Sequence, residues 1–257
     1  MDWILDLDGV VWLSEQAIKG SAEAIAHLRG DGHRVLFLTN NAGPRVVDLV
    51  DKLTAMGVEA QPGDLVTSAQ AAAGLLAPGS TALVCAGPGV SEALQARGVN
   101  RIRDGDADAV VVGFHDDFDY ERLKAAFLAV DHGARLVGTN DDVTYPTPDG
   151  LVPGGGAILA AVAAATGLSP EVAGKPYAPM AAAVVERLGR RPKGILVGDR
   201  PSTDGLMARR LGLEFGLVLT GVTSAAGALA LDPPADAVTD NLADMVAARL
   251  GPAKAIF

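Results

Sequence analysis

Asp6 and Asp8 stand two residues apart where the apolar run WILDL gives out, and Gly9 follows at once. On an extended strand, side chains two apart share a face, so the two carboxylates would repel one another. Such a pair asks for a cation, for a partner with an open reaction centre, or for both. Two further stretches have the same character. The run RVLFLT (34–39) ends in Thr39, Asn40 and Asn41. The run GILVG leads into Asp199 and Arg200, with Asp204 shortly after.

These groups meet only if the strands that carry them lie side by side. Short β-branched runs alternate with Ala/Leu-rich helical patterns along the chain. ADAVVVG and GILVG are continuous rather than alternating, as expected of strands covered on both faces. Strands are expected at 3–7, 34–39, 81–86, 108–113, 134–138, 193–198 and 216–220. One helix is expected to start at Ser21 as N-cap, and a second to run through RVVDLVDKLTAMG, with Pro44 near its first turn and Gly57 closing it. Others are expected at 90–97, 119–132, 156–166, 178–189, 203–211 and 240–249. The pattern is α/β, with a doubly wound, mainly parallel sheet. Ligands of such sheets bind outside the carboxyl ends of the strands. Three strands widely separated in sequence would then deliver small polar or acidic groups to one edge, which packing alone does not explain.

The chain has 257 residues and a net charge of -10. That balance argues against nucleic acid and anionic membranes as partners, because both need a basic face. An acidic protein that handles an anion must gather positive charge locally, and a metal ion is one way. The lone cysteine, Cys85, lies in the apolar stretch TALVCAG and is expected to pack as a small hydrophobe in a reducing compartment. The N-terminus lacks the pattern of a signal peptide, and AILAAVAAATGL is too short to span a bilayer. A cytoplasmic location is expected. GPGVSEAL (87–94) has Glu92 where a dinucleotide fingerprint needs its third glycine, so it is expected to be a turn into a helix. His115 is expected to be a surface or capping residue.

Four motifs, DLDGV, LTNNA, GKP (174–176) and GDRPSTD (198–204), stand in the order found in the haloacid dehalogenase-like superfamily of phosphohydrolases, which the chain resembles. The fourth has the spacing and threonine of the branch that includes the NagD-type, 4-nitrophenyl phosphate, phosphoglycolate and glycerol phosphate phosphatases. TSAQAAAGLL (67–76), DAVVVGFHDDFDYERL (108–123) and LVGTNDDVTYPTPDGLVPGGGAI (136–158) resemble that branch too, so the likeness covers nearly the whole chain. It departs at Val10, at Pro201 and Ser202, and at Gly205, where an aliphatic residue is usual.

The resemblance implies a Rossmann-like core at 1–77 and 175–257, with a large α/β cap inserted at 78–174. It implies Asp6 as nucleophile and Asp8 as the general acid that later serves as base. Thr39 and Lys175 would hold phosphoryl oxygens, with Asn40 beside them. Mg²⁺ would sit on Asp6, the backbone carbonyl of Asp8 and Asp199, with Asp204 orienting a bound water. Tyr145, on the cap loop NDDVTYPTPDG, would contact the leaving group, and Asp142 would shape that loop. The expected activity is Mg²⁺-dependent hydrolysis of a small phosphomonoester, such as glycerol 3-phosphate or a similar sugar phosphate, through an aspartyl phosphate. The cap is expected to be mobile or to form a homodimer. A phosphotransferase and an inert phosphometabolite sensor are the alternatives. Asp6, Asp8 and Lys175 are all present, which speaks against the sensor.

Overall fold

The computed structural model describes residues 1–147 and 149–251. Strand β1 (Asp2–Leu5) leads through a short ribbon, β2 (Trp12–Leu13) and β3 (Gln16–Ala17), to α1 (Ser21–Gly30) and β4 (Arg34–Thr39). Then come α2 (Val46–Ala55), β5 (Leu65–Thr67) and α3 (Ser68–Ala73). A second series follows: β6 (Thr81–Cys85), α4 (Pro88–Ala96), β7 (Asn100–Ile102), β8 (Ala109–Val112), α5 (Tyr120–Asp131) and β9 (Arg135–Gly138). The hairpin β10 (Thr144–Thr147) and β11 (Gly150–Pro153) precedes α6 (Gly155–Thr166) and β12 (Glu171–Val172). The chain closes with α7 (Ala178–Leu188), β13 (Gly194–Gly198), α8 (Leu206–Leu211), β14 (Glu214–Val218), α9 (Ala225–Leu229), β15 (Ala237–Thr239) and α10 (Leu242–Leu250).

Six strands form a parallel sheet in the order β15-β14-β13-β1-β4-β5. In chain order this is 6-5-4-1-2-3, so the winding reverses between β1 and β13. All four residues of β1 are buried. Trp3 and Leu5 pack into one apolar layer with Phe37 and Val197, while Ile4 packs into the other with Leu36 and Leu196. Each such side chain contributes about 1.5–3 kcal/mol by leaving water. The layer containing Ile4 continues under the second sheet through Ala82, Val111 and Val137. That sheet is also parallel, in the order β12-β9-β8-β6-β7. Its far face carries Leu83, Cys85, Val110, Val112 and Leu136.

Strand 34–39 stands as expected, and the expected strand at 216–220 lies two residues earlier, because Ile195 and Leu196 pair with Glu214 and Phe215. Ser21 is not the N-cap of α1. Gly20, at φ +84°, holds that position, and the Ser21 hydroxyl instead donates to the carbonyls of Ile18 and Val11. Gly205 fits its place because the Phe215 ring stands where an aliphatic side chain would otherwise go: a Cβ there would meet it at 3.1 Å. Among the described residues, no helix is long and apolar enough to cross a membrane.

Candidate active site

The carboxyl ends of β1, β4 and β13 meet at the point where the winding of the six-stranded sheet reverses. Pairing of β1 carries on one step past Leu5, where the Asp6 N–H donates to the Val197 carbonyl (2.9 Å). The chain then turns: the Val11 N–H returns to the Leu7 carbonyl (2.8 Å) and the Gly9 N–H to that of Trp12 (2.7 Å). This turn separates the two carboxylates that an extended strand would hold together. Asp6 faces Lys175, whereas Asp8 accepts a hydrogen bond from the Trp12 indole N–H (2.9 Å). Gly9 has φ +80°, and a Cβ there would lie 2.5 Å from Asp199 Oδ2. Only glycine lets the turn pass so close to that carboxylate.

Lys175 is the electrostatic centre of the site. Its side chain is 2% exposed, and Nζ stands 2.9 Å from Asp6 Oδ1, 2.7 Å from Asp204 Oδ1 and 3.3 Å from the Leu38 carbonyl. Burial alone would lower the lysine pKa, but Asp204 and Asp6 outweigh it and hold the ammonium charged. Asp204 is fully buried, and its second oxygen accepts from the Arg200 N–H (3.1 Å). Asp199 is buried and accepts from the Val222 N–H (2.7 Å). Burial, reinforced by Asp204, pushes the Asp199 carboxyl up to about 6. Burial also raises Asp6 well above the usual carboxylate range, with Asp204 adding repulsion and Lys175 opposing it. Asp8 is raised as well, chiefly by burial, against the hydrogen bond from Trp12.

Asp6, Asp199 and Asp204 bring carboxylate oxygens within 4.8 Å of one another. Three carboxylates against one ammonium leave two negative charges when all are ionised. The donor set is all oxygen, and the uncompensated charge matches one hard divalent cation, so these residues fit Mg²⁺. Burial and, after it, repulsion from Asp204 raise Asp6 and Asp199, and such an ion would relieve the repulsion.

Thr39 ends β4, buried, with its hydroxyl accepting from the Asn41 N–H (3.0 Å). Asn40 is tied into a network of its own. Its side-chain oxygen accepts from the Lys175 N–H (2.7 Å), while its NH₂ donates to the Lys175 carbonyl (3.1 Å) and to Asp142 (2.8 Å). Asp142 also faces Arg200 Nη1 at 3.5 Å, and Arg200 Nη2 donates to the Thr144 carbonyl (3.3 Å). The loop after β9 is thereby fastened to the six-stranded sheet at the mouth of the site. Pro148 of that loop lies outside the described residues. Tyr145 is 38% exposed and stands edge-on to Phe114, ring centroids 5.5 Å apart.

A cavity of about 270 Å³ lies over the cluster, bounded by Asp6, Asp8 and Thr39 on one side and by Asp142, Tyr145 and Phe114 on the other. Eight of the nine expected positions line it, and the ninth, Asp204, packs against Lys175 beneath it. The sequence assigns Arg200 a place at a strand end but no role, and Phe114 neither. Arg200 lies inside the fourth motif, which was the available signal; nothing in the sequence marks Phe114. His115 does not line this cavity. It is buried and borders a different crevice.

Known proteins resemble this chain in sequence and fold. A sequence family described as haloacid dehalogenase-like hydrolase matches residues 3–100, and one described as HAD-hydrolase-like matches residues 172–245. The acid sugar phosphatase of Staphylococcus saprophyticus is 36% identical over 226 residues, covering 86% of this chain and 87% of that protein. The crystal structure of a glycerol phosphate phosphatase from Mycobacterium tuberculosis in complex with magnesium is 36% identical, with a TM-score of 0.87 over 94% of this chain and 74% of that one. A 4-nitrophenylphosphatase structure from Thermotoga maritima, 31% identical, superimposes with a TM-score of 0.88 over 98% of this chain and 97% of that one. With sequence, fold and strand-end chemistry in agreement, the chain belongs to the haloacid dehalogenase-like hydrolases.

Proposed function

We propose that this protein is an Mg²⁺-dependent phosphatase of small phosphomonoesters, with sugar phosphates and three-carbon phosphates such as glycerol 3-phosphate as its substrate class. The observation that carries this reading is the Asp6–Lys175–Asp204–Asp199 cluster beneath a small cavity. Its relatives include acid sugar phosphatases and a glycerol phosphate phosphatase, which supports the substrate class.

Asp6 attacks phosphorus through a carboxylate oxygen, and the ester P–O bond breaks as the aspartyl phosphate forms. Asp8, whose environment favours the protonated form, gives its proton to the departing alkoxide. Water then attacks the aspartyl phosphate while Asp8 takes up a proton from it. The bond from Asp6 to phosphorus breaks and inorganic phosphate leaves. Lys175 and Thr39 hold the phosphoryl oxygens throughout, and fixed donors of this kind commonly supply about 3 kcal/mol each to a charged transition state. Asp204 keeps Lys175 in place. Asp6, the Asp8 carbonyl and Asp199 would hold Mg²⁺. When bound, that ion supplies positive charge that keeps Asp6 ionised and draws charge from the phosphoryl oxygens.

Residues 78–174 serve as a cap over this site, joined to a core of residues 1–77 and 175–257. The cap limits substrates to small ones, and Tyr145 meets the leaving group. Cys85 is buried, with its thiol pushed up to about 11 by burial; an unreactive, unpaired cysteine is compatible with the cytoplasm. The test is phosphate release from a panel of small phosphomonoesters, with and without Mg²⁺. Turnover that needs Mg²⁺ and disappears in Asp6→Asn supports the proposal, and the ranking of the panel names the substrate. Release that requires an added alcohol acceptor would make it a phosphotransferase.

A further inference from the structure

The second sheet has a winding reversal of its own. Its order β12-β9-β8-β6-β7 is 5-4-3-1-2 in chain order, so the direction changes between β6 and β8. Open parallel sheets hold ligands outside their carboxyl ends at such a point. The six-stranded sheet does so with its acidic cluster. At the equivalent place in the second sheet lies a crevice of about 810 Å³, lined by residues that follow β6 and β8 and by residues of β7.

The chemistry of this crevice is opposite in sign to that of the acidic cluster. In a chain of net charge -10, Arg101, Arg103 and Arg122 all line the crevice. Asp116 and Asp117 also line it, and Asp117 pairs with Arg122. Arg101 makes one bond to the Ser91 carbonyl (3.2 Å) through Nη1. His115 is the most deeply buried polar side chain of the crevice. It is 6% exposed, lies edge-on to Phe118, and its Nδ1 donates to the Gly113 carbonyl (2.9 Å). Nε2 is buried with no hydrogen-bond partner among the described residues. With Nδ1 carrying the proton, the neutral ring offers Nε2 as an acceptor. A buried acceptor left bare costs free energy, so it calls for a donor.

We propose that this crevice binds a small oxyanion that keeps a hydroxyl, namely hydrogen phosphate or a hydroxyl-bearing phosphate ester. Arg101 and Arg103 take the anionic oxygens, and His115 Nε2 accepts from the hydroxyl. The site is separate from the acidic cluster but shares a wall with it. Asn41, Gly43 and Pro44, which follow Thr39 and Asn40, line the crevice as well. This loop is pressed against α4: the Gly89 N–H donates to the Gly43 carbonyl (2.9 Å), and a Cβ on Gly89 would lie 2.1 Å from the Pro44 carbonyl oxygen. A ligand here touches the loop that positions Thr39.

The experiment is ring ¹⁵N NMR of the histidines, of which the chain has four, in the full-length Mg²⁺-loaded protein. One arm titrates inorganic phosphate. The other titrates 3,4-dihydroxybutylphosphonate, whose C–P bond a phosphatase cannot hydrolyse. The His115 resonances should shift and saturate with at least one probe. In the Arg101→Ala, Arg103→Ala double variant the affinity should fall about tenfold or more, while turnover without probe stays at the wild-type rate. Both arginines are exposed, and a melting curve verifies that the variant folds. Tighter binding of phosphate assigns the free anion, and tighter binding of the phosphonate assigns an ester. Resonances that stay still once the active site is saturated, or that shift equally in the double variant, overturn the proposal, since equal shifts report only active-site occupancy.

Discussion

Lys175 Nζ lies within 3 Å of both Asp6 and Asp204, and its side chain is almost wholly buried. Replacing it by methionine leaves two carboxylates buried without their counter-charge, a change that costs on the order of 3–5 kcal/mol. Calorimetry of Lys175→Met should show a clear fall in Tm without metal, partly restored by Mg²⁺, and no turnover. An unchanged Tm would mean that the lysine does not hold the cluster together. Asp8, as the proposed general acid, makes a different prediction, since its proton would matter only when the leaving group needs one. Asp8→Asn keeps an acceptor for the Trp12 N–H. With an alkyl phosphate its turnover should fall about 10²–10⁴-fold. With 4-nitrophenyl phosphate, whose leaving group departs without a proton, a burst of nitrophenolate should survive while steady turnover falls. Rapid-mixing absorbance separates the two phases. The carboxylates, Thr39 and Lys175 were legible in the sequence because each ends a strand or sits in a motif. The Asn40–Asp142 bond was not, because it joins residues 102 positions apart and exists only once the second sheet has docked.

β1 leads directly into Asp6, the proposed nucleophile, so what anchors β1 sets the geometry of the proposed reaction. Asp2 is 2% exposed at the start of that strand. It accepts from the Lys193 N–H (2.7 Å) and from both terminal nitrogens of Arg190 (2.8 Å each). Burial alone would raise its pKa, but the bonds to Arg190 and Lys193 outweigh it, and the carboxyl lies below its ordinary value of 3.8. A lowered folded-state pKa gives stability that is complete above the unfolded value and is lost as pH falls through the folded one. Asp2→Asn should therefore cost about 1 kcal/mol at neutral pH, a modest figure because Arg190 is half exposed. The gap between variant and wild type should close below pH 3.8. Denaturant melts at neutral and acid pH would check this, and a gap independent of pH would refute it. The long central strands were legible from their apolar runs. The three-residue strands β5, β7 and β15 were not, since partners in the ladder define them and their own composition does not. Gly20 in place of Ser21 at the head of α1 has a similar origin: the Ser21 hydroxyl finds better acceptors in Val11 and Ile18, which the sequence places out of view.

Across the whole molecule, the two sheets meet at the mouth of the active site through Asn40, Asp142 and Arg200. Asp142→Ala removes the acceptor for Asn40 and the partner of Arg200 together. If this link holds the cap over substrate, KM for a small phosphomonoester should rise about tenfold with a smaller change in kcat. Arg200→Ala should behave similarly, and the double variant should lose less than the two singles combined, because both act on one link. Additive losses would show two independent contacts. The α/β class and the common edge of the three polar strand ends followed from the alternating runs, and a second α/β unit followed from the family resemblance. The relative placement of the sheets did not, because it depends on packing such as Gly89 against Pro44, where the absence of a side chain is the signal.

The central claim is that the phosphoryl group passes through Asp6, and acid quenching of a single turnover followed by peptide mass spectrometry tests it most directly. Substrate and Mg²⁺ should leave a phosphoryl group on the N-terminal peptide, located by fragmentation at Asp6, and absent from Asp6→Asn. Phosphate on another residue, or rapid turnover with no covalent phosphate at any quench time, would contradict the account.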